Sequence, residues 1–246
     1  EGRWKVLLIE HADRMTGEAA NRILKTLEEP PPRVVWMLLA ESEGSMLETV
    51  VSRCQRVDVH PMPVPELERH LIEAHNATEE MAQLIARASR GRTGWAIQAV
   101  SDSSLMAERT SRIEAVIQLI SMTFSARFDF SREMDALYRS DRLSVMEALD
   151  QWTTWWRDLL LTKTNCAENV VNVDYVADLN DQAQRLSLEQ IRDYIVRLGQ
   201  ARQDLAVNVL SRLVFDSLVY TMPRIIKPVG ERSPSPARLA DLDESQ

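Results

Sequence analysis

The sequence is poor in glycine and cysteine and contains no long apolar run. Its 246 residues include only 7 glycines, too few for a turn-rich all-β protein, so the composition favours long helices. The 2 cysteines, Cys54 and Cys166, provide no disulfide framework, which favours a reducing compartment. No stretch approaches the length of a membrane span and no signal-sequence pattern opens the chain, so we expect a cytoplasmic protein without membrane contact.

The chain also has fewer positively than negatively charged residues, 29 Lys and Arg against 37 Asp and Glu. The formal net charge is −8 at pH 7, whereas a domain that binds DNA by itself normally presents a basic face. Hydrophobic residues make up 45% of the chain and charged residues 27%, a balance that indicates a folded globular protein. The length suits one large domain or two to three small ones.

Residues 1–61 alternate between strand and helix patterns and are predicted to form part of an α/β domain. Thr16 is expected to cap a helix that the triple proline starting at Pro30 ends. The segment "MLETVVS" (46–52) predicts a second, short helix. Apolar runs predict parallel strands, the first two of them buried on both faces, at residues 5–10, 34–39 and 55–59.

Beyond a boundary marked by Pro61, Pro63 and Pro65, the patterns are helical. We expect a three-helix domain over residues 62–103, with Thr78 and Thr93 as caps of its second and third helices. The predicted helices span residues 65–75, 79–90 and 93–101.

Residues 104–222 predict a domain of longer amphipathic helices. One covers residues 143–161, and the last begins with a capping-box pattern at Ser187 and is expected to run to about Met222. The prolines and charged residues of 223–246 predict a disordered tail.

The first predicted strand ends in Glu10-His11-Ala12-Asp13. In nucleotide-hydrolysing folds, acidic residues at the end of such a strand hold Mg²⁺ and position the attacking water. His11 stands where the second acid is expected. A neutral imidazole supplies no negative charge and an imidazolium repels Mg²⁺, so the pattern indicates a disarmed site in which His11 caps the strand end.

Two stretches, "LKTLEEPP" (24–31) and Ser52-Arg53-Cys54, resemble the clamp-loader branch of the AAA+ ATPases. The resemblance implies a mixed α/β then all-α chain: a partial AAA+ (RecA-like) parallel-sheet domain, a small helical lid domain and a C-terminal helical collar. "GRTGWAIQAV" (91–100) is similar to the end of the lid, and "WWRDLLLTKT" (155–164) and "ARQDLAVNVLSRLV" (201–214) are similar to collar helices.

The resemblance also assigns roles to individual residues. Glu10 and His11 match the Walker B positions of the family, so the motif is degenerate here. Gly94 falls near the place of a lid arginine that touches nucleotide, although Arg90 or Arg92 could take that place. Arg53, within its motif, matches an arginine finger that points into the nucleotide of a neighbouring subunit, a role that suits the planar fork of a guanidinium.

Together these residues imply a stator of DNA replication, a subunit that completes another subunit's ATP site and has no catalytic activity of its own. Its implied partners are gamma/tau and delta clamp-loader subunits, and through them the sliding clamp and primed DNA. ATP and Mg²⁺ would be bound by the neighbour, with no cofactor in this chain. Two alternatives stay open, an ATP-hydrolysing gamma/tau-type motor and a helical scaffold without a nucleotide role. We expect a P-loop or zinc site, where present, to lie upstream of residue 1.

Several residues have simpler interpretations. Cys54 is expected to be a small buried hydrophobe rather than a reactive thiol. His70 and His75 lie five positions apart, off the same-face spacing of a helix, and predict no metal site. Lys25 is a weak candidate for facing DNA. Three tryptophans on one helix are expected to pack in a core or subunit interface rather than stack on bases: Trp152, Trp155 and Trp156.

Overall fold

The computed structural model describes residues 3–40, 44 and 46–225. The chain divides into two compact units, Glu1–His60 and Pro61–Gln246. The first contains a two-stranded parallel sheet and the second is helical. The predicted order, α/β followed by all-α, is therefore confirmed in outline.

In the first unit, strand β1 (Lys5–Ile9) leads through helix α1 (Gly17–Glu28) to strand β2 (Val34–Leu38), and a short helix α2 (Glu48–Val51) follows. The strands are parallel, in register from Lys5 opposite Val34 to Ile9 opposite Leu38. As predicted, the Thr16 side chain accepts a hydrogen bond from the Ala19 amide (3.2 Å) and α1 ends before the prolines.

Two predictions for this unit are wrong. Residues 55–59 form no strand, and Val57 and Val59 are 78% and 88% exposed. A strand is stabilised by pairing with a neighbour, and β1 and β2 pair only with each other among the described residues. The sheet is also not buried on both faces, since Val6 and Leu8 are more than half exposed. Burial of both faces requires helices on each side, and α1 and α2 leave these side chains uncovered.

The second unit consists of nine helices within the described residues, with short 3₁₀ turns between α8 and α9. These elements are α3 (Val64–His75), α4 (Glu79–Ser89), α5 (Thr93–Ser101), α6 (Ser103–Ser121), α7 (Phe124–Ser140), α8 (Arg142–Lys163), α9 (Val176–Arg185), α10 (Leu188–Ala206) and α11 (Ser211–Thr221).

Two hydrophobic clusters stabilise this unit. The smaller cluster lies among α3, α4 and α5, around Leu67, Leu71 and Ile85. The larger one joins α6 to α11 and contains the three tryptophans of α8, each no more than 2% exposed. Their prediction as packing residues rather than base-stacking groups is confirmed. The finer division into a lid and a collar stays a prediction.

A side chain caps five of the nine described helices of this unit, namely α4, α6, α7, α8 and α10. Thr78 accepts a hydrogen bond from the Met81 amide (3.3 Å), as predicted. Thr93 does not cap α5, because it is the first helical residue. Arg92 occupies the cap position, and its side chain makes no capping hydrogen bond to the helix.

The predicted helix from Ser187 to about Met222 is two helices. The capping box at Ser187 is present, but α10 ends at Ala206 and Asn208 adopts a left-handed conformation with φ 59°. Asn208 stands between two valines, and these residue types are weak helix formers. Asn tolerates the left-handed region that ends a helix. Most of the predicted tail, residues 226–246, lies outside the described part of the chain.

No described helix combines the length and apolar character that crossing a membrane requires.

Candidate functional site

The carboxyl edge of the sheet carries the first group of predicted site residues. Glu10 and His11 follow β1 directly and both are exposed. His11 has φ 51°, in the left-handed region where histidine is more common than most residues. The next amide, of Ala12, donates to the Leu39 carbonyl (2.8 Å), which ties this turn to the end of β2.

The His11 side chain makes no capping hydrogen bond to the 3₁₀ turn that follows it. Its capping of the end of β1 stays a prediction. Its backbone geometry, rather than its imidazole, forms the turn.

Asp13 is an acid at this edge to which the sequence analysis gave no role. One carboxylate oxygen, Oδ1, is buried without a hydrogen-bond partner among the described residues. Such groups are uncommon in folded proteins. The only sequence signal was its place two residues after His11. Across the described ranges, no three His, Cys, Asp or Glu side chains form a group that could hold a metal ion.

Arg53 follows the end of α2, and its guanidinium is held within the first unit. Its Nε donates to Glu28 Oε1 (2.7 Å) and its Nη2 donates to the same oxygen. Its Nη1 donates to the Thr49 carbonyl (2.8 Å) and contacts Ser52 Oγ (3.3 Å). The side chain remains 33% exposed, so Arg53 lies along the surface, docked on the last residue of α1.

The structure brings Arg53 together with Glu28 and Ser52 but not with the Walker B positions. No hydrogen bond or ion pair of the described residues joins Arg53 to Glu10 or His11. The two predicted site groups are thus separate features of this unit.

Cys54, beside Arg53, is exposed, so its prediction as a buried hydrophobe is wrong. It lies in the segment after α2 where residues 52–60 are all exposed. Partial desolvation nevertheless raises the pKa of the Cys54 thiol. A raised pKa disfavours the nucleophilic thiolate, in agreement with the expectation that this cysteine is not reactive.

The lid-arginine position and its two possible substitutes lie in the second unit. Gly94 is the second residue of α5, and a Cβ added there would meet nothing within 4 Å. Arg90 donates to Thr154 Oγ1 (2.9 Å) and Arg92 donates to the Ser89 carbonyl (3.0 Å). Both arginines are therefore engaged by groups of their own unit.

His70 and His75 are closer than their spacing suggested. Their rings meet edge to face with centroids 5.3 Å apart at the end of α3. Among the described residues, the pair is not part of any group of three His, Cys, Asp or Glu side chains that could hold a metal ion.

The chain is similar to subunits of bacterial DNA polymerase III. The sequence profile of the family described as "DNA polymerase III, delta subunit" matches residues 1–63, the segment that contains Glu10, His11 and Arg53. The match covers one end of the chain, and relatives extend the similarity beyond it.

Two relatives that match most of this chain are delta-prime subunits. The subunit of Bacillus subtilis is 25% identical over 219 residues, covering 89% of this chain and 66% of the relative. That of Haemophilus influenzae is 29% identical over 198 residues, covering 76% of this chain and 53% of the relative. The tau subunit of Escherichia coli is 38% identical over 95 residues, 37% of this chain and 15% of tau.

These similarities confirm the resemblance that the motifs indicated. The chain spans about two thirds of the Bacillus subtilis relative and about half of the Haemophilus influenzae relative.

Proposed function

We propose that the protein is a clamp-loader subunit of the delta-prime type in DNA replication, a stator that does not hydrolyse ATP. It supplies Arg53 to the ATP site of a neighbouring gamma/tau-type subunit. The observation that carries the proposal is the contrast between two motifs of one small unit. Glu10-His11 replaces a pair of acids, whereas Ser52-Arg53-Cys54 is intact.

The electrostatics of the sheet edge support the first half of this proposal. Mg²⁺ requires hard oxygen ligands, and His11 supplies none. The exposed position of Glu10 and His11 leaves the edge open to solvent. A carboxylate pair there would neutralise a bound cation, while Glu10 alone neutralises half of its charge.

The docking of Arg53 on Glu28 supports the second half. An exposed ion pair contributes only about 0–1 kcal/mol to stability, so exchanging Glu28 for a phosphate costs little. An arginine finger raises the rate at its site by about 10³–10⁵. Glu28 therefore holds the guanidinium in a fixed, partly exposed position without trapping it.

A motor subunit of gamma/tau type is the second candidate. The 38% identity to Escherichia coli tau over 95 residues favours it. This identity is higher than that of the two delta-prime relatives, although those relatives align over longer segments. A motor would depend on its own Walker B position, and so on His11. A helical scaffold without a nucleotide role would depend on neither His11 nor Arg53.

The test is clamp- and primer-stimulated ATP turnover of a loader reconstituted with the complete protein or its Arg53→Ala variant. Since this chain would serve one of several ATP sites, total turnover is expected to fall by the share of that site. Clamp loading should fall further where the sites act in concert.

Two further variants define the role of Arg53. Arg53→Lys keeps the charge but not the planar fork, so we expect it to lower ATP turnover nearly as much as Arg53→Ala does. Arg22→Ala, whose exposed side chain pairs with Glu18 on α1, is the matched control and should leave turnover unchanged. Unchanged turnover with Arg53→Ala in an assembled loader would overturn the proposal.

A further inference from the structure

A cleft in the second unit lies between helices α3 and α4 on one side and α8 with its following loop on the other. Its volume is about 710 Å³, within the range of small-molecule sites. Three arginines line it: Arg87 and Arg90 at the end of α4, and Arg157 on α8. The proposed function uses none of the three, and we call this feature the arginine cleft.

Neutral groups position the guanidiniums of Arg87 and Arg90, which leaves donors available. Arg87 Nη1 donates to the carbonyls of Glu168 and Val170 (both 3.1 Å), while its Nε is buried without a partner among the described residues. Arg90 Nη1 donates to Thr154 Oγ1 (2.9 Å). Arg157 Nη1 reaches only the Asn169 carbonyl at 3.5 Å and a carboxylate oxygen of Asp158 at 3.7 Å.

Acidic residues neutralise this cluster only in part, through the 3.7 Å ion pair of Arg157 with Asp158. Glu68 and Glu168 line the cleft, but neither forms an ion pair with the three arginines within the described chain. Asp158 lies below the surface, fully buried. Its oxygens accept hydrogen bonds from the Val171 and Asn172 amides and the Asn172 side chain.

The arginines also repel one another. Burial lowers the pKa of Arg90, the charge of Arg157 lowers it further, and Asp158 opposes the shift. A multiply charged anion between the guanidiniums would remove this repulsion. An arginine fork matches two phosphate oxygens, and a chain of phosphates supplies the several negative charges that such a cluster favours.

We propose that the arginine cleft binds an anionic small molecule carrying two or more phosphate groups, either a free polyphosphate or the phosphate chain of a nucleotide. Guanidiniums from two sides can meet different phosphates of one chain. Val64, Pro65 and Val170 add an apolar wall to the cleft, which a nucleoside could contact. The bound ligand would bridge α4 and α8.

The first experiment is isothermal titration of the complete protein with inorganic pyrophosphate, without Mg²⁺ and at constant ionic strength. We expect saturable binding with one site. Arg90→Gln and Arg157→Gln should each weaken it at least about tenfold, because each removes a charge-assisted hydrogen bond to phosphate. Arg192→Gln, on the exposed face of α10 with its side chain 65% accessible, is the matched control and should bind as the parent does.

A second titration distinguishes the two sources of phosphate. Tighter binding of ATP than of pyrophosphate, lost in Arg157→Gln, would assign the cleft to a nucleotide. Equal affinities would assign it to a polyphosphate. Circular dichroism checks the fold of each variant, and Arg157→Gln decides the outcome where Arg90→Gln is unfolded, since Arg157 makes the weaker internal contacts.

Three results would overturn the proposal. One is that pyrophosphate fails to bind the parent protein, and another is that it binds the arginine variants as tightly as the control. A dT oligonucleotide that binds in the cleft while pyrophosphate does not would assign the arginines to nucleic acid instead.

Discussion

At the scale of single residues, Gly91 and Gly94 differ in whether the backbone conformation and the surrounding space leave room for a side chain. Gly91 has φ 79°, and a Cβ there would lie 2.5 Å from Pro61 Cβ and 2.8 Å from the Met62 carbonyl oxygen. Gly94 lies near the start of α5 in open space. The backbone demands glycine at the first position only.

Alanine at these two positions should therefore change stability in opposite directions. Gly94→Ala is expected to raise the free energy of unfolding by about 0.5–1 kcal/mol, because it reduces the entropy of the unfolded chain. Gly91→Ala should lower it by about 1–3 kcal/mol through strain and overpacking. Urea unfolding of both variants measures the difference, and equal effects would contradict this account.

Asp158 gives a prediction about pH. Burial raises its pKa above the ordinary value, so the folded state binds the proton more tightly than the unfolded state does. The stabilisation from this proton is present at low pH and is lost as the pH rises through the folded pKa.

Asp158→Asn removes that pH dependence together with hydrogen-bond acceptors for Val171 and Asn172. The variant should be less stable than the parent, and the deficit should shrink as the pH rises above about 4. Urea unfolding from acid to neutral pH measures the deficit, with Asp181→Asn, an exposed carboxylate of α9, as the control. A deficit that stays constant or grows with pH would show that folding does not raise the pKa of Asp158.

At the scale of elements, one buried side chain joins the ends of α6 and α11. Arg127 is 0% exposed and donates to the carbonyls of Leu119 and Ile120 in the last turn of α6. It also donates to the carbonyls of Val219, Met222 and Pro223 at the end of α11. The carbonyls of Leu119 and Ile120 also accept from the Met122 and Ile225 amides (3.2 and 3.0 Å), whereas the other three belong to a helix end that leaves carbonyls unpaired. Burial lowers the pKa of Arg127 to about 10, so the group stays charged at neutral pH.

Loss of this guanidinium should weaken the whole helical unit. Arg127→Met is expected to lower the free energy of unfolding by about 3 kcal/mol or more, because it removes the donor to the carbonyls of Val219, Met222 and Pro223. Arg132→Met, at a position whose side chain is 65% exposed on the same helix, should change it by less than about 0.5 kcal/mol. Thermal unfolding compares the two, and similar melting temperatures would refute a joining role for Arg127.

Local signals in the sequence predicted the elements well where the element depends on its own residues. The caps at Thr16, Thr78 and Ser187 are examples, because a hydroxyl near the first amides of a helix is local chemistry. Residues 55–59 have a strand-like pattern, but a strand exists only with a partner. Asn208 interrupts a helical pattern with a conformation that composition alone does not specify.

The site was predictable to a different degree. The motif around Arg53 was recognisable in the sequence, whereas its docking on Glu28, 25 positions away, depends on the folded unit. Arg127 and the arginine cleft had no signal, since arginine is mostly exposed and burial of one is decided by tertiary contacts. Asp13 was visible in the sequence, but only the burial of its Oδ1 atom without a partner among the described residues distinguishes it from other acids.

At the scale of the whole molecule, the proposed function makes the first unit the place where the chain acts on a neighbour. That unit holds both the Glu10-His11 pair and the Ser52-Arg53-Cys54 motif. The helical unit has the larger core, built around Trp152, Trp155 and Trp156. A chain with net charge −8 lacks the excess of positive charge that binding DNA alone normally requires, which fits a subunit that acts within an assembly.

The central claim is that this chain serves a neighbour's ATP site and not its own, and two single variants test it side by side. Clamp- and primer-stimulated ATP turnover is measured in a loader reconstituted with the complete protein carrying His11→Ala or Arg53→Ala. The stator account predicts unchanged turnover for His11→Ala and a loss for Arg53→Ala with assembly intact. A loss with His11→Ala and none with Arg53→Ala would contradict it and favour a motor subunit.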